Sequence, residues 1–174
     1  MPALETTRLR LVPITLEMIE AVVCRDRAGA GRLVGATFPD GWPNDDLVAQ
    51  GFPFSVDAIR TSPEVRLWGD SLVLLKGEAP RVVGSVVFHG RPDDGIAEVG
   101  YGIEDNSRGI GLATEATLAC VEWALGEPGI VAVQATTFPW HHASLGVIRK
   151  VGMTQVGIRE HAVLGELLVF ERRR

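Results

Sequence analysis

The segment Arg108-Gly109-Ile110-Gly111-Leu112-Ala113 constrains the fold more than any other, because it joins two stretches of different periodicity. Before it, Ala97 to Ile103 alternates as a half-buried strand does. After it, Ala113, Ala116, Cys120 and Ala124 recur at near-helical spacing in a helix that runs to about Leu125, and their small side chains let it lie close on a sheet. A strand, a glycine turn and a helix in that order imply an α/β packing. Such a turn is also an anion cradle: bare backbone N–H groups and the positive end of the helix dipole converge on one spot, where a phosphate gains about 0.3 to 2 kcal/mol from the dipole. The chain is expected to hold a phosphorylated cofactor there.

The elements around the turn follow from the same patterns. Leu9, Leu11 and Ile14 read as a first strand ended by Pro13, and Thr15 caps a helix with Met18, Ile19, Val22 and Val23 on one face. From Asp26 to Pro63, glycines and prolines break the pattern, leaving short helices around Asp45 to Gln50 and Phe54 to Ile59, a stretch equally suited to a substrate wall or a packed connection. Arg66 to Lys76, Val82 to His89 and Ala97 to Ile103 form an antiparallel meander. Ile130 to Thr137 is a strand, Ala143 to Lys150 a short helix stopped by Gly152, and Met153 to Arg159 with Leu164 to Glu171 a closing hairpin; Arg172 to Arg174 reads as a solvated tail.

Composition limits the partners. A chain of 174 residues, 46% hydrophobic, fits one domain spanning 1–174 with a sizeable core. A net charge of -5 argues against nucleic acid, whose backbone is bound by an excess of Lys and Arg. No run approaches the roughly eighteen apolar residues of a membrane span, and the first nine residues lack the apolar core of a signal peptide, so no membrane partner is expected and the cytoplasm is the default location. Cys24 and Cys120 match no metal-ligand spacing and read as small buried residues of a reducing compartment; no metal is expected.

Two cofactors compete for the cradle on pattern alone. A dinucleotide needs a third small residue where Thr114 stands and an acid ending the next strand, which instead carries Gln134, Thr136 and Thr137. No Gly-Lys-Ser/Thr follows, which excludes a nucleoside triphosphate P-loop. The other candidate is coenzyme A. Arg108 to Ala113 matches the Arg/Gln-x-x-Gly-x-Gly/Ala signature, and with it the chain resembles the GNAT superfamily of N-acetyltransferases. Leu4-Glu5-Thr6-Thr7-Arg8-Leu9-Arg10-Leu11, Glu98-Val99-Gly100-Tyr101, Gly111-Leu112-Ala113-Thr114-Glu115-Ala116, Ala143-Ser144 and Lys150-Val151-Gly152-Met153 fall in the order typical of its Rim-type branch, the ribosomal-protein N-terminal acetyltransferases.

The resemblance implies a mixed, mostly antiparallel central sheet flanked by helices, with a splay between the strands near 97–103 and 130–137 where the pantetheine arm lies. It implies acetyl-CoA as cofactor, its pyrophosphate on the amides of Gly109, Ile110, Gly111, Leu112 and Ala113 beside Arg108, and direct transfer of acetyl to a small-molecule amine or a peptide N-terminus. An amine must shed a proton to attack. Glu98, on the strand leading to the cradle, is the leading base, and His89, at the end of the preceding strand, is the alternative. The resemblance makes Ser144 the proton donor to the leaving thiolate. It also places His141 where the family generally has an asparagine that helps hold the cofactor, so His141 reads as either a retuned acid or a weakened cofactor contact. That departure leaves a catalytically silent acyl-CoA sensor of the same fold as the alternative function. The acceptor pocket is expected near Trp42, Phe52 and His161, Trp68 and Trp123 are expected in the core, and a homodimer is compatible with the sequence.

Overall fold

The computed structural model describes residues 1–43 and 56–174; the helix expected over Asp45 to Gln50, and Phe52, lie outside them. One sheet carries strands β1 Leu4–Glu5, β2 Leu9–Pro13, β3 Ser71–Leu75, β4 Arg81–Phe88, β5 Ile96–Ile103, β6 Ala132–Thr137, β7 Thr154–His161 and β8 Gly165–Arg173, in spatial order β1-β2-β3-β4-β5-β6-β8-β7. The helices are α1 Leu16–Val23, α2 Arg27–Val34, α3 Val56–Thr61, α4 Pro63–Arg66, α5 Leu112–Gly126 and α6 His142–Lys150. Neighbouring strands run antiparallel except β5 and β6, whose parallel pairing needs the long crossover that the glycine turn and α5 supply.

That parallel pair is also where the sheet opens. β5 and β6 pair at Ile96 with Ala132, Ala97 with Val133 and Glu98 with Gln134, and no further. β5 continues to Ile103 and β6 to Thr137, so beyond Glu98 the expected splay leaves a gap between two backbone edges.

The two faces of the sheet bury different helices. Val73, Val86, Phe88 and Val99 pack against Leu112, Ala116, Cys120, Val121 and Ala124 of α5 and Ile148 of α6. Leu72 and Leu74, pointing the other way on β3, pack with Met18 of α1 and Val34 of α2. β3 is therefore covered on both sides, which is why it reads as an unbroken apolar run. Trp68, Phe88 and Trp123 stack into one aromatic group with centroids 4.9 to 6.0 Å apart, against the main core as expected.

Local chemistry explains the differences from expectation. The strand read from Leu9 is preceded by a further short one, β1, because Thr6 turns the chain and its hydroxyl accepts from Leu9 N–H at 3.0 Å. Thr15 does cap α1, accepting from Met18 N–H, but Cys24 is the exposed C-cap of that helix and not a buried residue. The broken region starts with a full helix, α2: Asp26 accepts from Gly29 N–H at 2.7 Å and Gly35 ends it in the left-handed region, so caps override the glycines inside. The strand expected from Arg66 begins only at Ser71, since Pro63 opens the short helix α4 as a first-turn proline can. The terminal arginines are not a loose tail. Arg172 and Arg173 pair with Val133 and Ala132 in the sheet, and Arg172 donates to Val151 carbonyl at 3.0 Å.

Candidate functional site

The glycine turn is built as an open cradle. Gly109 and Gly111 have φ of +80° and +85°, a region that costs other L-residues about 1 to 2 kcal/mol. Gly111 caps α5 and offers no side chain to its first N–H groups, which stay available to a ligand. Arg108, Gly109, Gly111, Leu112 and Ala113 line a cavity of about 680 Å³ that runs along the splay to Thr136, Thr137, His141 and Ser144. Ile110 does not line it; its side chain is exposed and its carbonyl is engaged elsewhere.

Two buttresses hold the cradle, and sequence reasoning missed both. At its exit, Glu115 in the first turn of α5 accepts from Thr6 hydroxyl at 2.6 Å, Arg8 N–H at 2.8 Å and Arg8 Nε at 2.7 Å. Arg8 also donates through Nη1 to the Ile110 carbonyl at 2.8 Å, tying the first strands to the turn. Burial pushes the Glu115 carboxyl up, and the bonds from Thr6 and Arg8 outweigh it to leave the group below its ordinary value. At the entry, buried Glu104 accepts from Ser107 hydroxyl, from Arg81 Nη1 at 3.0 Å and from Asn106 N–H at 3.0 Å, and so fixes the 3-10 turn Asp105–Ser107 that leads into Arg108. The Ser107 bond, opposed by burial and aided by Arg81, holds the Glu104 carboxyl below the usual range. The signal was present in the first-strand and post-glycine motifs, but nothing in a linear sequence pairs residue 8 with residue 115.

The predicted residues fall into two groups. Arg108 donates through Nε to Ile103 carbonyl at 2.9 Å and pairs with Asp105 at 2.8 Å, yet its side chain stays mostly exposed at the cavity edge. His141 is the N-cap residue of α6, exposed, with its ring 6.0 Å from that of Trp140 and no capping bond from its side chain. Ser144, one turn on, meets Tyr101: the two hydroxyls are 2.9 Å apart, and Tyr101 also donates to the Ser144 carbonyl at 3.1 Å. Tyr101 is the chain's single tyrosine. Burial raises its hydroxyl pKa and the Ser144 contact opposes that rise. The other group is Glu98 and His89. Glu98 lines neither cavity; Arg159 Nη1 reaches its two oxygens at 3.0 and 3.3 Å, Thr136 donates to it at 3.1 Å, and His89 Nδ1 stands 3.7 Å away.

A second cavity of about 550 Å³ lies between α1, the Phe38 to Pro43 segment and β4, and His89 is on its wall. Trp42 lines it and His161 does not: the His161 Nδ1 accepts from Val163 and Leu164 N–H in the hairpin turn. Tyr101 and Gly102 line both cavities. The polar residue sequence reasoning missed on this wall is Asp70, a buried acid whose Oδ1 accepts from Phe88 N–H at 2.6 Å. Its only linear sign is an isolated carboxylate before an apolar strand.

These features fit coenzyme A: a side-chain-free cradle at a helix N-terminus, and open strand edges beside it. Comparison with known proteins agrees. The acetyltransferase (GNAT) domain model matches residues 8–154. An uncharacterized N-acetyltransferase of Bacillus subtilis (strain 168), YjdG, is 28% identical over 147 residues, 84% of each chain. Among solved structures, a GNAT-family acetyltransferase from Bacillus anthracis superposes with a TM-score of 0.68 at 18% identity, covering 99% of this chain and 98% of that one. The ribosomal L7/L12 α-N-protein acetyltransferase RimL, solved with coenzyme A, gives 0.66 at 16% identity over 99% and 98%. With the family model spanning most of the sequence and the fold matching end to end, the chain belongs to the GNAT acetyltransferase family.

Proposed function

We propose that this acetyltransferase moves an acetyl group from acetyl-CoA to a primary amine by direct attack within a ternary complex. The observation that carries the proposal is the meeting of two cavities at Tyr101 and Gly102, which lets two ligands bind from opposite sides and touch. Gly109, Gly111, Leu112 and Ala113 would hold the pyrophosphate by their amides, Ile110 would contribute its N–H, and Arg108 would add charge. Bound acetyl-CoA supplies an activated acyl group whose C–S bond is exchanged for a C–N bond to the amine.

The chain's own groups manage the protons. His89 stands on the acceptor wall with Glu98 behind its Nδ1, an arrangement in which the imidazole takes the amine proton and the carboxylate steadies the resulting charge. A Cβ built on Gly100 would lie 3.6 Å from His89 Nε2, so that nitrogen hangs over bare backbone beside the junction. Arg159 and Thr136 keep Glu98 in place. On the other side, Ser144 and Tyr101 share a hydrogen bond and hold a proton where a leaving thiolate would need one. His141 lines the cofactor cavity with its side chain unspent on capping and would serve as a donor to the arm.

The test is to incubate the protein with acetyl-CoA and a panel of primary amines and peptides while following free thiol, with calorimetry of CoA binding in parallel. Thiol release that depends on the amine is expected. Tight CoA binding with no amine-dependent release would instead favour the silent sensor, and no CoA binding would overturn both.

A further inference from the structure

We propose that the second cavity selects an amine with an apolar body and a second, cationic nitrogen that pairs with Asp70. This rests on the acetyltransferase reading above and names the class of acceptor. Among the described residues the cavity is walled by aliphatic and aromatic side chains, including Met18, Ile59 and Leu72, together with the stacked pair Phe38 and Trp42, whose ring centroids are 6.3 Å apart. A polycation or an acidic peptide would leave most of that surface unmatched, whereas an alkyl or aryl chain would bury against it at about 25 cal/mol per Å².

Asp70 breaks this apolar surface. The residue is only 9% exposed, and one oxygen is taken by Phe88 N–H. The other oxygen accepts no hydrogen bond among the described residues and is not sealed from solvent, so a ligand can reach it, and no ion pair to the carboxyl is found among them. The other ionisable groups on the wall are Arg66, which is exposed, His89, which faces Glu98, and Tyr101, whose hydroxyl is bonded to Ser144; the buried Cys120 thiol is close enough to feel the Asp70 charge. A carboxyl buried without a counter-ion is costly, and the cost is relieved when a cation enters beside it. Burial pushes the Asp70 carboxyl up to about 7, against the pull of the Phe88 bond, which reflects the same unmet demand. The faces of Phe38 and Trp42 on the same wall would favour a cation further.

The strand register sets the length of the ligand. Ser71 pairs with Val86 and Val86 with Tyr101, so Asp70 stands two strand spacings, about 10 Å, from the junction of the cavities. An amine reacting at Tyr101 therefore needs roughly a seven-carbon span to set its second nitrogen on Asp70.

The experiment compares α,ω-diaminoheptane with heptylamine as acceptors for the wild-type protein and for Asp70→Asn, which can still accept from Phe88 N–H. Wild type should favour the diamine in kcat/KM by at least about tenfold, one unpaired charge interaction's worth of discrimination. Asp70→Asn should bring that ratio close to one while acetyl-CoA affinity is kept. Equal kcat/KM for the two amines in wild type, or a preference that survives in Asp70→Asn, would overturn the proposal. If neither amine is acetylated, the transferase reading fails for this class, and the pocket is judged by titrating α,ω-diaminoheptane into CoA-loaded protein. Binding that Asp70→Asn abolishes supports the cation site, and no binding refutes it.

Discussion

The buttress behind the cradle makes a quantitative prediction about two residues that touch each other but should not cost the same to remove. Glu115→Ala deletes the acceptor of three hydrogen bonds, from Thr6 hydroxyl, Arg8 N–H and Arg8 Nε. Arg8→Ala deletes only the last of these, plus the bond to Ile110 carbonyl, and leaves the backbone N–H of residue 8 and Thr6 on the carboxylate. Bonds to a charged group contribute about 1.5 kcal/mol or more each when sheltered. The Arg8 side chain is 42% exposed, so its contact is discounted to about 0.5 kcal/mol. Glu115→Ala should therefore destabilise by about 3 kcal/mol and Arg8→Ala by about 1 kcal/mol, with a coupling near 0.5 kcal/mol in the double-mutant cycle. Because both loosen the turn, acetyl-CoA should bind about tenfold more weakly to Arg8→Ala, equivalent to about 1.4 kcal/mol. Urea unfolding of the four proteins and calorimetry with acetyl-CoA read these quantities. Equal destabilisation by the two single variants would show that the guanidinium, not Thr6 and the backbone, carries the buttress. Unchanged acetyl-CoA affinity in Arg8→Ala would show that the buttress does not shape the cradle.

Three further outcomes follow from the site. Gly111→Val places a β-branched residue at φ +85°, where its Cβ would lie 3.5 Å from Arg8 Nη2 and the turn must rearrange, so CoA binding measured by calorimetry should vanish in a protein that still gives a folded circular dichroism spectrum; retained affinity would displace the cradle. Tyr101→Phe, Ser144→Ala and Glu98→Gln should each lower kcat, by about 10- to 100-fold, with little change in acetyl-CoA affinity, and full turnover in all three would remove the proton assignments. Asp70 keeps its proton to about pH 7 when folded but only to near 3.8 unfolded. Between those values the native state binds more protons, so this group's contribution to stability is present at low pH and lost as pH rises through 7. The urea midpoint of wild type should thus fall from pH 5 to pH 8 by more than that of Asp70→Asn, and identical slopes would contradict the raised value.

The sequence by itself determined what short-range physics controls. Alternation fixed the β5 strand, small residues at helical spacing marked α5, and Thr15 set the start of α1, because each depends only on neighbours along the chain. The ordered motifs pointed to the family for the same reason. Glycines at 109 and 111 marked the cradle, since a left-handed backbone and bare amides are local properties. Local signals failed where caps competed with breakers, as in α2, where Asp26 and Gly35 outweigh Gly29 and Gly31 inside the helix.

Tertiary structure alone decided the contacts that give the site its character. Residues 6, 8 and 115 meet because β2 lies over the start of α5, and no linear spacing encodes that. Tyr101 became a junction residue only when the parting of β5 from β6 opened one cavity and α1 walled off another. Asp70 carries no distinctive sign in the sequence; its raised pKa arises only because Phe88 and the apolar wall close around it. Electrostatics in a low-dielectric interior depends on what surrounds a group in three dimensions, and the order of residues along the chain does not carry that information.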